Sequence, residues 1–135
     1  NIPLLGLDRM ILSDQLIIKD LMALSDFILQ PGDDLALACL LKTPFIGLTE
    51  DELYTLAIDR DEKSLWQSLQ ERADPKLIDY LKELMSLGIE NKPFAFLSIF
   101  LQRPSYAQPR ITTKRALLER LGIDALEALD EFLNI

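Results

Sequence analysis

From Ser13, a residue suited to capping a helix, apolar positions recur at Ile17, Leu21, Leu24 and Ile28, the spacing of one helical face. Ile18, Met22, Phe27 and Leu29 widen that stripe, which predicts a largely buried helix. Upstream, "IPLLGLDRMIL" predicts a short strand and turn broken at Gly6, the one β element the pattern allows. Downstream, "PGDD" (Pro31 to Asp34) predicts a turn and sets carboxylates at the start of a helix over Leu35 to Lys42, where orphan N–H groups and the positive dipole end favour them. Two adjacent carboxylates without a third ligand make a poor site for a hard cation, so capping is the expected role of Asp33 and Asp34.

"TPFIGL" interrupts the periodicity, because Pro44 disfavours helix at Thr43 and Gly47 can take a left-handed turn. Thr49 with Glu52, and Ser64 with Gln67, have the spacing of capping boxes ahead of Leu53 and Leu69. Asp74 followed by Pro75 starts a further helix through Leu77, Leu81, Leu84 and Met85, with Gly88 in the position of a C-terminal stop. "KPFAFLSIFLQ" and "TKRALLERLG" predict two short helices separated by the irregular loop "RPSYAQPR", and "IDALEALDEFLNI" begins a last one. The expected fold class is all-α: a compact multi-helix domain over residues 1–135, with at most a short strand near the N-terminus.

Composition narrows the chemistry. The 135 residues contain no histidine, which excludes Ser-His-Asp and Cys-His catalysis and His-containing zinc sites. Five scattered glycines cannot form a Walker A loop or a dinucleotide fingerprint. The single Cys39, inside "LALACLL", reads as a buried reduced thiol, which fits a reducing cytoplasm. No apolar run has the length of a membrane span. The chain opens on Asn1 and stops inside an amphipathic pattern at "DEFLNI", which reads as a piece of something larger.

A net charge of −8 repels phosphate at long range, so any nucleic-acid contact has to be local. One stretch reverses the balance: between Arg103 and Leu121, Arg103, Arg110, Lys114, Arg115 and Arg120 stand against Glu119 alone. If Thr112 or Thr113 caps the helix that follows, Lys114 and Arg115 fall in its first turn, where cations oppose the dipole unless an anion sits nearby. Those residues, with Tyr106 to lie against a sugar or base, form the candidate nucleic-acid site. The bland reading is a solvated loop and helix.

The order of features from "IPLLGLDRM" through "IIKDLMALSDFILQPGDDLALACLLKTPFIGL" resembles the 2B region of UvrD-like superfamily 1 DNA helicases. In that family an Ile-Pro and a Gly lead to a helix with Lys-Asp, an "NPxDD" turn, a Leu/Ala-rich helix and a "P-x-x-G-I/L" loop. Here Ile2-Pro3, Gly6, Lys19-Asp20, Pro31 to Asp34, and Pro44 to Leu48 occupy those places. "LLKTPFIGLTEDELYTLA", "SLWQSL", "RALLERLG" and "DEFLNI" are most similar to the AddA-type helicase–nuclease subunit of bacterial double-strand-break repair. The resemblance implies an accessory region inserted between motor motifs, itself without catalytic, cofactor-binding or metal-binding residues, in a cytoplasmic bacterial parent that uses ATP and Mg. Implied partners are DNA, the motor domains of the same chain and a second repair-complex subunit, with no membrane. The alternative is a helical docking module without DNA contact. One departure stands out: the UvrD loop carries a basic residue and two glycines, where this chain has Phe45, Ile46 and Gly47.

Overall fold

The computed structural model describes residues 18–121, and all seven of the helices there pack around one continuous apolar core, with no strand among them. The expected N-terminal strand, the Ser13 cap and the final helix lie outside the described residues. Helix α1 covers residues 18–29, and a turn closed by the Asp33 N–H on the Gln30 carbonyl (2.9 Å) folds the chain back into α2, Asp34–Lys42. Then follow α3 (Glu50–Ala57), α4 (Leu65–Arg72), α5 (Pro75–Glu90), α6 (Pro93–Gln102) and α7 (Thr113–Leu121).

The helix starts follow the capping chemistry. Asp33 accepts the Ala36 N–H, while Thr49 with Glu52 and Ser64 with Gln67 each form a reciprocal capping box. Asp74 accepts the Lys76 N–H ahead of Pro75. Each such cap contributes roughly 0.5–2 kcal/mol, which matters for helices of eight or nine residues that are not stable alone. The "TPFIGL" loop is a packing element: Phe45 and Ile46 are buried, Phe45 meets Phe100 edge-on at 4.9 Å, and Gly47 takes a φ of +81°.

Three expectations need correction. In α1 the buried set is Leu21, Ala23, Leu24 and Phe27, whereas Ile18, Met22 (57% exposed) and Leu29 (82%) face outward. Only one stripe of that helix meets the core, and its extra apolar residues lie beside the stripe. Cys39 is exposed for the same reason, since Ala36, Leu37, Leu40 and Leu41 define the inner face of α2. Gly88 does not end its helix, which continues to Glu90; a Cβ there would come within 2.6 Å of the Ile28 Cγ2. Its role is the close crossing of α1 over α5.

Candidate nucleic-acid interface

The basic segment begins as α6 ends and closes into a small loop. The Arg103 carbonyl accepts both the Thr113 N–H (2.8 Å) and the Thr113 hydroxyl (3.1 Å), and the Ser105 N–H donates to the Ile111 carbonyl at 2.9 Å. Pro104 and Thr112 form an isolated antiparallel bridge across its neck. Inside the loop, the Gln108 N–H donates to the Ser105 hydroxyl at 3.3 Å. The two prolines thus sit in a short, internally bonded turn with Arg110 exposed in it.

Thr112 is the residue that caps α7, its hydroxyl oxygen accepting the Arg115 N–H at 3.1 Å. The Ala116 N–H donates to the Thr112 carbonyl, and Thr113 is buried with its hydroxyl engaged on Arg103. The Thr113 hydroxyl and the N–H groups of Thr113, Arg115 and Ala116 therefore serve the loop–helix junction and are not free to hold an anion. Lys114 is half-buried, and Arg120 lies in α7 beyond the side chains that are described.

The cations divide in a similar way. Arg103 pairs with Glu83 of α5, so its charge is locally neutralised. Arg115 is 68% exposed and reaches Glu119 one turn on at 3.5 Å, a contact that contributes little in water. Arg110 makes no ion pair with the described residues. Among the cations of the segment whose side chains are described, Arg110 and Arg115 are therefore the exposed ones.

Tyr106 turns toward the body of the protein. Its ring packs on Tyr80 at 5.2 Å, and burial, then the nearby Asp74 carboxylate, push its hydroxyl above the ordinary tyrosine range. Tyr80 is pushed further, to about 12, chiefly by burial. Its hydroxyl lies beside Thr113 without a well-formed hydrogen bond. Tyr106 also joins the two irregular loops, because it shares a cleft of about 480 Å³ with Gly47, Leu48, Glu52 and Asp74. The cation in that cleft, Arg72, donates to the carbonyls of Thr55, Ile58 and Asp59. Carboxylates beside an already engaged guanidinium disfavour phosphate there.

Among the described residues no group of three or more Cys, Asp or Glu side chains could hold a metal ion. Asp33 caps α2 and Asp34 is engaged with Arg60 and Leu65, so "PGDD" is fully occupied by structural contacts. No described helix is long and apolar enough to cross a membrane. The site that sequence reasoning missed is a groove of about 610 Å³ between α1 and α2. A signal for it was present, because Met22, Leu35 and Cys39 are apolar positions off the tightest helical stripe. No family model matches the chain, and no curated protein or solved structure matches it either.

Proposed function

We propose that the chain is an accessory, 2B-type helical region of a UvrD-like superfamily 1 DNA helicase of the AddA type, acting in double-strand-break repair and recombination. In this reading it catalyses nothing itself. It positions duplex DNA or a partner subunit while motor domains elsewhere in the parent protein hydrolyse ATP with Mg. The observation that carries the reading is the ordered series of matched residues, Lys19-Asp20, Pro31 to Asp34 and Pro44 to Leu48 in particular. Support comes from what the last two stretches do: Asp33 caps α2, Asp34 ties α2 to the start of α4, and Phe45 and Ile46 fill the core, as framework residues should.

Within that reading, docking to protein is the main role, and contact with duplex is weak and confined to the exposed Arg110 and Arg115. The "TPFIGL" loop offers no cation, Arg103 is paired, and Tyr106 faces Asp74. Meanwhile Leu29, Leu35 (75% exposed) and Ile89 (79%) present large apolar side chains outward. The deciding experiment is DNA-stimulated ATP hydrolysis by the intact native protein that carries this chain. Turnover that depends on DNA, with unwinding lost when residues 1–135 are excised, is the expected result. An intact protein without DNA-stimulated ATPase activity overturns the helicase assignment.

A further inference from the structure

The turn at 30–33 leaves one side of α1 and one side of α2 uncovered by any other described helix, and a groove runs between them. Its wall on α1 is a stripe from Lys19 to Asp26, and its wall on α2 runs from Leu35 to Thr43. Each stripe spans about 10 Å, two helical turns. Ala23 and Ala36, both buried, form a shallow floor, while Met22 and Leu35 stand above it with most of their surface exposed. Small residues below and flexible apolar side chains above are what a partner helix packs against.

The charges in the groove are unequal in how they are satisfied. Lys42 pairs with Glu50 at 3.1 Å, and Asp33 is engaged in capping α2. The carboxylates of Asp20 and Asp26 make no hydrogen bond or ion pair with the described residues, and Lys19 is the one further charge on the groove wall. Asp20 is half-buried, and burial pushes its carboxyl up to about 6 although Lys19 beside it acts in the opposite direction. A carboxylate partly withdrawn from water with no partner is costly unless a cation arrives. The groove walls are helices whose backbone groups are already bonded within them, so an extended peptide would find no ladder there. A helix brings its own satisfied backbone.

We propose that the α1–α2 groove is a docking site for an amphipathic helix of a partner protein, one whose apolar face covers Met22, Ala23, Leu35 and Ala36 and whose Lys or Arg pairs with Asp20 and Asp26. The inference stands on the groove alone, whatever parent carries the chain. The probes are two stapled helices of about 12 residues, long enough to cover both stripes, since unstapled helices of that length are marginal in water. One carries a leucine face with lysines, and the other has glutamate at the lysine positions. Binding to the 135-residue chain is followed by amide and methyl chemical shifts. The lysine helix is expected to bind with shifts confined to α1 and α2, and the glutamate helix is expected not to bind. Asp20→Asn should weaken binding about tenfold and Leu35→Lys should abolish it, while Asp51→Asn on exposed α3 should change nothing. The bound helix should also lower the pH at which Asp20 titrates. Absence of binding, equal loss from Asp20→Asn and Asp51→Asn, or shifts spread over the acidic surface each overturn the proposal. So does self-association of the chain that Leu35→Lys abolishes, which would assign the groove to a second copy.

Discussion

The Asp34 carboxylate accepts the backbone N–H of Leu65 at 2.8 Å, joining the first turn of α2 to the first turn of α4. Its other oxygen accepts from Arg60 at 2.9 Å, and that guanidinium also donates to the carbonyls of Ala57 and Lys63. One side chain thus ties the start of two helices to the loop between α3 and α4. That loop carries Asp59 and Asp61 at positive φ, a conformation aspartate tolerates better than most residues.

Asp34→Ala should therefore destabilise more than Asp33→Ala. Removal of the Asp33 cap costs about 0.5–2 kcal/mol. Removal of Asp34 leaves the Leu65 N–H without its acceptor and Arg60 without its carboxylate, for about 1–3 kcal/mol from the N–H alone. Urea unfolding followed by far-UV dichroism measures both. Equal losses would show that the link between the helices carries no more than an ordinary cap.

Much of this was legible in local sequence, because a cap is chemistry between neighbours. Thr49 with Glu52, Ser64 with Gln67, and Asp74 with Pro75 are each recognisable within four residues, and each begins a helix. The same window could explain only one aspartate of "PGDD", since the partner of Asp34 lies 31 positions away. Exposure was least legible. Periodicity marks Ile18, Met22, Leu29 and Cys39 as apolar, but which of several adjacent stripes meets the core depends on the packed neighbours. The basic segment was visible as charge, whereas the pairing of Arg103 with Glu83 of α5 and the burial of Thr113 are tertiary facts.

Gly88 and Gly47 should respond to alanine for opposite reasons. At Gly47 there is open space around a Cβ, but the φ of +81° disfavours any side chain, so the loss should be about 1–2 kcal/mol from backbone strain. At Gly88 the helical backbone welcomes alanine by about 1 kcal/mol, yet the Cβ collides with Ile28. Gly88→Ala should be destabilising in the native background and stabilising once Ile28→Ala removes the clash. A double-mutant cycle by denaturant unfolding reads that change of sign, and additive effects would refute the close crossing.

Asp20 sets a pH dependence. Its carboxyl is raised from 3.8 to about 6 by burial, so the fold favours its protonated form. That contribution is fully present below the ordinary value and is lost as pH rises from about 4 through about 6. Asp20→Asn should accordingly gain stability at pH 7 relative to pH 4, compared with the native chain. The side chain is only half withdrawn from water, so the gain should be small, under about 1 kcal/mol. Unfolding free energies at the two pH values check it; an unchanged difference between them would mean that the groove does not burden Asp20.

The exposed pair Arg110 and Arg115 decides whether the chain itself touches DNA. With a net charge of −8, the chain as a whole repels phosphate, and long-range attraction cannot compensate for a poor local site. Arg103 is paired with Glu83, so a charge reversal there should lower stability and leave DNA affinity nearly unaltered. Arg110 and Arg115 keep their outward charge, and two phosphate contacts predict a shallow dependence of log affinity on log salt, with a slope of about −2 on duplex. The expected result is weak, sequence-independent binding at low salt that disappears at moderate salt and in Arg110→Glu with Arg115→Glu. The variant should stay folded, since Arg110 has no ion pair among the described residues and Arg115 has only its exposed contact with Glu119. Fluorescence anisotropy on one labelled duplex at two salt concentrations, with dichroism of each protein alongside, measures all of this. Equal affinity in the two proteins, or none in either within the intact parent, leaves docking to protein as the chain's role.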